Sequence, residues 1–426
     1  MKRVSAIVVS ALAMAGLTAN AEEADFRTDI NPALLYYQAF LVAPDPMSAT
    51  NLDYLYSKEG RSQPLPERFG ALAAGYNSQF KLVRRAAQAK MPCDWGIDMS
   101  DGAATLLPHL ARAKAIAQAA RLRVMWDLQH ERQADACDDL LASVALGRNL
   151  SRDGTMISTL VQIAIEAIEC NVIAENLGQF TPESLQRLVD GLKALPPRGT
   201  VAASIAAEKR LFGDPLERKI LALREANPGD DAKVMAGIRK LFGAFDEPEE
   251  GQPKLWETAT NAAGGTSEGI LKLFREEGQL YLKLAGLAAL PPLEYERELK
   301  TFNEELQKSG NPLAQMMLPA LEKGRLRELR ALVTLAMVRA AVEYKTRGDA
   351  GFQTVNDPAG EGPFALRRFI LEGVDRGFEL KSALDAGGFQ VVLIFVEKAG
   401  PPFRVDGPHA GESIQSQDPA KDSSRR

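Results

Sequence analysis

Residues 106–128 read LLPHLARAKAIAQAARLRVMWDL, and their spacing decides the fold. Leu106, Leu110, Ala113, Ala117, Ala120, Val124 and Leu128 recur at steps of four and three, which is one stripe of an α-helix. Arg112, Lys114, Gln118, Arg121 and Arg123 fall mostly off that stripe. A short polar break, Gln129 to Gln133, separates it from a second stripe on Ala134, Cys137, Leu141 and Val144, with Asp135, Asp138 and Asp139 expected outward. A third begins after Asp153-Gly154-Thr155, with Thr155 as N-cap, and carries Ile157, Val161, Ala164, Ile168 and Val172. Helices joined by breaks this short fold back as antiparallel hairpins. Small residues at 113, 117 and 120 let a neighbouring helix approach closely.

The same periodicity extends outward. Asn31-Pro32 starts a helix over Ala33 to Phe40, the proline having no N–H to lose in the first turn. Another is expected from Glu67 to Ala89. Thr181-Pro182-Glu183 opens a helix to Leu195, and residues 201–225 and 230–245 read as helices parted by Asn227-Pro228-Gly229. An acidic, proline-bearing surface loop is expected over Asp246 to Pro253. Helical spacing resumes over 270–287 and 293–307, with Thr266 or Ser267 capping the first, and then over 312–345. After Gly348 the composition turns to glycine and proline, followed by strand-like runs at Phe364–Phe369, Gly377–Leu384 and Phe389–Val396. The expected fold is therefore mostly α, as stacked antiparallel helical hairpins with a small antiparallel β element near the C-terminus. Residues 22–347 form the helical domain, 348–405 the β-containing element packed on the last long helix, and 406–426 a disordered tail. The helix pair after Leu106 resembles one tetratricopeptide-type hairpin. No second copy recurs at about 34 residues, so the stack is an α-solenoid of irregular pitch or an irregular bundle.

Met1-Lys2-Arg3, an apolar run from Val4 to Leu17, and Ala19-Asn20-Ala21 make a secretory signal peptide over residues 1–21. The expected location is the periplasm or the extracellular space, with no transmembrane segment after cleavage. Loss of Lys2 and Arg3 takes the formal charge from −5 to −7. An acidic balance without a dense basic cluster excludes binding to nucleic-acid phosphates. Three cysteines remain, Cys93, Cys137 and Cys170. Cys137 and Cys170 sit on adjacent expected helices, so a disulfide between them and buried free thiols are both open readings.

Catalytic signatures are sparse. Gly265-Thr266-Ser267-Glu268-Gly269 matches the nucleophile-elbow pattern, but no buried strand precedes it, so a helix cap explains it better. His109, His130 and His409 make no zinc spacing, and there is no P-loop or dinucleotide fingerprint, so no cofactor or metal is expected. His109, behind Pro108 in the first turn of its helix, is the one histidine placed for chemistry. Gln162, Glu166 and Glu169 form a narrow polar stripe on an apolar helix. Partial burial of such a stripe calls for a cationic partner, Lys209 or Arg210 for example, unless Glu166 lines a groove. Asp94 and Asp98 flank Trp95 before the central helix. They read as helix caps, or as acids beside an exposed indole that touches sugar or peptide.

Asn31 to Tyr37 (NPALLYY), Cys93 to Asp98 (CDWGID), Leu107 to Leu110 (LPHL), Ala164 to Glu166 (AIE) and Gly362 to Phe364 (GPF) together resemble a family of exported bacterial proteins without an assigned function. The resemblance implies a signal peptide, a helical body and a small strand-bearing end, and it transfers no active site. The long helix before short strands is also similar to the C-terminal half of secretion-system pseudopilins, from which the chain departs by lacking their long N-terminal membrane helix. The leading expectation is an exported helical scaffold or binding protein with a protein or cell-envelope partner. An envelope-polymer hydrolase using carboxylates and an accessory role in a pilus-like secretion assembly are the alternatives.

Overall fold

The computed structural model describes residues 28–102, 105–242, 255–385, 390–398 and 400. The expected signal peptide, the acidic loop at 246–253 and the tail at 406–426 lie outside the described residues. The architecture is mostly α with a small three-stranded antiparallel sheet near the C-terminus.

Helix α1 (Pro32–Leu41) starts as its sequence dictates, with the Asn31 side chain accepting from the Ala33 N–H and Pro32 in the first turn. α2 (Ala49–Tyr56) and α3 (Lys58–Ser62) follow. The expected helix at 67–89 is two, α4 (Arg68–Gly75) and α5 (Asn77–Ala87), broken at Tyr76. The centre is α6 (Pro108–Gln129), α7 (Gln133–Leu150) and α8 (Met156–Glu175), each folded back on the one before. Thr155 caps α8 by accepting from the Ser158 N–H.

Two expectations about this centre are corrected. Leu106 lies outside α6 and is exposed, because the helix begins only at Pro108. Arg121, Arg123 and Asp139 are buried rather than outward. From Ala119 to Leu128, α6 is covered all round, since α4 packs on the side that α7 and α8 leave open, and α2 and α5 meet its Arg121 and Arg123 there. The charges are admissible there because they are paired. Asp139 takes Arg84 Nε at 2.6 Å and Arg123 Nε at 2.7 Å, and Arg121 gives Nη2 to Glu175 at 2.5 Å and to the Leu55 carbonyl at 2.8 Å.

α8 is long and apolar enough to cross a membrane by length and composition, yet it is a core helix here, packed by α6, α7 and the last helix. Beyond it come α9 (Pro182–Ala194), α10 (Val201–Glu208), α11 (Asp214–Ala226), α12 (Asp231–Phe242), α13 (Leu255–Ala262), α14 (Ser267–Ala288), α15 (Pro292–Ser309) and α16 (Pro312–Phe352), which kinks at Gly348. Thr266 caps α14 by accepting from the Gly269 N–H, so the elbow-like pentapeptide is a helix start.

The expected single helix over 201–225 is interrupted by a π-turn, Lys209–Gly213. Pro215 explains it. A proline has no N–H to give to the Leu211 carbonyl four residues back, and a widened turn absorbs the mismatch, closing instead through the Asp214 N–H and the Lys209 carbonyl.

Strands β1 (Ala365–Leu371), β2 (Val374–Asp385) and β3 (Gln390–Val396) pair in sequence order. The β1–β2 turn places Glu372 and Gly373 both at positive φ, the requirement of a tight turn matched to strand twist. The sheet lies on α8 and α16, sharing one apolar core with Val172, Met337, Phe378 and Phe395.

Candidate functional site

The Cys93–Asp98 loop is held by α1. Asn31 gives Nδ2 to the Asp94 carbonyl at 2.7 Å and takes the Asp94 N–H at 3.1 Å. Tyr37 Oη donates to the Trp95 carbonyl at 3.0 Å. Trp95 is buried, not exposed between two acids as the alternative reading had it. Its Nε1 donates to the Asn149 carbonyl at 2.9 Å, and its ring lies 5.6 Å from Tyr36 and 4.7 Å from His109. Rings this apolar are drawn in beside α1, where no sugar reaches the indole. Asp94 and Asp98 do not cap α6. Each accepts a backbone N–H two residues on, from Gly96 and Ser100 respectively, and so shapes its own loop.

His109 is 2% exposed, its Nε2 is buried without a partner among the described residues, and burial holds its pKa below the ordinary value against the opposing pull of Asp153. A neutral, enclosed imidazole stacked on Trp95 fills space. A cleft of about 280 Å³ gathers Asp94 and Trp95 with Arg152 and Asp153, but not Asp98, His109 or Glu166.

Glu166 is sealed. Arg198 reaches it through Nε and Nη2 (2.9 and 2.7 Å to Oε2) and Arg148 through Nε (3.2 Å), so its cations are these and not Lys209 or Arg210. Lys209 instead bonds Asp214 at 2.5 Å. Glu169, one turn on, accepts from Ser143 Oγ at 2.5 Å, and burial pushes its carboxyl up to about 8.

Cys137 and Cys170 form no bridge. All three thiols are free and buried, and Cys137 Sγ points to the Ser184 carbonyl at 3.6 Å, away from α8. Burial raises every one of them, Cys93 to about 12 and Cys137 to about 11.

A larger cavity lies elsewhere, about 700 Å³ between the π-turn, α11, α14 and the start of α16. Phe212, Leu216, Phe274 and Leu313 line it, with Ile157 and Met316 about half exposed where it opens. Its polar groups converge on Glu208, Lys209, Glu277 and Tyr281. Glu208 Oε1 accepts the Met156 N–H at 3.0 Å, at the positive end of α8. Glu277, 7% exposed, has no hydrogen-bond partner among the described residues. Burial lifts its carboxyl to about 7, opposed only by the nearby charge of Lys209.

Of these four the sequence had pointed only to Lys209, and that as a partner for Glu166, although two signals existed. Pro215 sits inside an otherwise continuous helical pattern. Glu277 interrupts the apolar stripe Ile270, Leu273, Tyr281, Leu284 of α14, where a carboxylate has no reason to be if the helix only packs.

Compared with known protein families, curated proteins and solved structures, the chain matches none.

Proposed function

We propose that this is an exported, α-helical binding protein of the cell envelope that holds an apolar or amphipathic small molecule in the cavity beside the π-turn. One observation carries the reading: a space of about 700 Å³, lined mainly by aliphatic and aromatic side chains with a few convergent polar groups, which is the composition of ligand sites. The π-turn supports it, since single π-turns within α-helices recur at functional sites. Export is argued from the N-terminal pattern of basic, apolar and small residues, and from the motifs shared with exported proteins.

Binding is favoured over hydrolysis by the surroundings of the acids considered for catalysis. Glu166 is locked between two guanidiniums, and Asp94 and Asp98 are used by their own loops. Glu166, so engaged, has no access to a substrate proton, and the exposed Asp94 and Asp98 do not share a cleft in which two carboxyls could act on one bond.

The test is titration with N-phenyl-1-naphthylamine, a neutral apolar fluorophore, against the mature chain and a Gly213→Trp variant. Gly213 has ordinary helical φ and nothing but Lys209 Cγ within 4 Å of an added Cβ, so the indole fills the cavity without strain. Saturable one-to-one binding that the variant loses, with its melting temperature unchanged, is expected. Absence of saturable binding, or equal binding by both proteins, refutes the reading.

A further inference from the structure

The polar end of the cavity is unevenly satisfied. Glu208 already has a donor in the Met156 N–H, and the Lys209 ammonium is directed at Asp214. Tyr281 lies one turn beyond Glu277 on α14 and is itself buried. Of the carboxyls that line the space, Glu277 alone is nine-tenths buried with no donor among the described residues. Burying a carboxyl without a partner is costly, and a chain that keeps one facing a cavity leaves that oxygen for something that enters. The other charges that border the space, Arg218, Lys219 and Asp101, are exposed and mark its solvent side.

We propose that the ligand is a cationic amphiphile, whose apolar body lies among Phe212, Leu216 and Phe274 and whose ammonium group donates to Glu277. This rests on the binding reading above and deepens it by naming the ligand's head group. Two carboxyls, Glu277 and Glu208, line the polar end of the cavity, while Lys209 beside them is bonded to Asp214. A head group carrying positive charge and several N–H donors meets that set, whereas a carboxylate or sulfate head faces two carboxyls.

The probes are dodecylammonium, dodecanol and dodecanoate, each below its aggregation threshold, displacing N-phenyl-1-naphthylamine from the wild type and from Glu277→Gln. The ammonium is expected to bind tightest. Glu277→Gln weakens it by about tenfold or more and leaves dodecanol unchanged, because a charged hydrogen bond is lost while the apolar contacts stay. The wild type supplies a check free of any mutation. With Glu277 titrating at about 7, ammonium affinity rises about tenfold from pH 6 to pH 8 while dodecanol affinity stays flat.

If the fluorophore binds but all three probes compete equally, or Glu277→Gln changes nothing, the cationic head group is refuted and the cavity reading stands. Tighter binding of dodecanoate refutes it in favour of an anionic head at Arg218 and Lys219. If the fluorophore itself does not bind, both proposals fall together.

Discussion

Glu169 makes this protein lose stability as pH rises, and replacing it removes that loss. The carboxyl is buried in the centre of the helical stack on α8, accepts from Ser143 Oγ at 2.5 Å, and has its second oxygen buried without a partner among the described residues. Burial pushes it to about 8 in the folded protein, against 4.5 for an exposed glutamate, the Ser143 bond and the Arg121 charge acting in the opposite direction. Between those two values the folded state binds a proton that the unfolded chain has released. Stability is therefore fully present below pH 4.5 and drains away as pH rises to 8, by about 1.4 kcal/mol per pH unit at the steepest. From pH 5 to pH 8 the integrated loss is roughly 3–4 kcal/mol, an upper figure because relaxation around the ionised group reduces it. Glu169→Gln leaves an amide that cannot ionise. Its imperfect hydrogen bonding costs about 1–3 kcal/mol, but equally at every pH. Urea unfolding of both proteins at pH 5, 6, 7 and 8 thus gives a stability difference that narrows, or changes sign, as pH rises. Glu277, Glu208 and the other buried acids titrate alike in both proteins and cancel in that difference. Two curves that run parallel across the range would show that Glu169 is already ionised in the fold, and the reasoning fails.

Other outcomes follow from the same core. Glu166→Ala strands Arg148 and Arg198 in a buried site and should destabilise by about 3–5 kcal/mol in urea unfolding, and a loss under about 1 kcal/mol would mean that water already reaches them. Alkylating the unreduced protein in denaturant and weighing it should give three labels per chain, and the folded protein at neutral pH none, since burial keeps all three thiols protonated. Fewer than three labels in denaturant would reinstate a disulfide.

The helical class was legible because it rests on spacing, which burial on one face imposes on the sequence directly. The caps Asn31, Thr155, Thr181 and Thr266 were legible for the same local reason, each accepting a backbone N–H two or three residues ahead. So were the three strands, within three residues at either end. Illegible was anything decided by a third element. Arg121, Arg123 and Asp139 have the composition of a solvated face, and only the arrival of α2 over Arg121 and of α4 and α5 beside Arg123 and Asp139 makes them core. Trp95 was open to an exposed reading because its loop is short and acidic, while its burial depends on Tyr36, Phe40 and His109 arriving from two other helices. The ion-pair reading of Glu166 was correct in kind, but naming the cations required knowing that α7 and the segment before α10 flank α8.

Buried acids in this chain divide by where their partner comes from, and that division separates architecture from function. Glu166 and Glu175 each hold an arginine that the fold itself brings, from α7 and the 196–200 segment in one case and from α6 in the other. Such pairs constrain which helices can meet, since a shifted register would leave a charge uncompensated, while contributing little net stability. Glu169 has no cation bonded to it among the described residues and is held protonated up to about pH 8 by burial among α6, α7 and α8. Glu277 is the third case. Its surroundings provide neither a cation in contact nor a filled core, but a cavity that opens to solvent. A carboxyl poised near neutrality beside open apolar space is poorly explained as architecture, because a leucine there would pack at no desolvation cost. Its retention makes sense if the missing partner is supplied from outside the chain. Glu277→Leu should therefore raise the midpoint of urea unfolding at pH 8 while abolishing ammonium binding, and a destabilised variant would return Glu277 to the structural group.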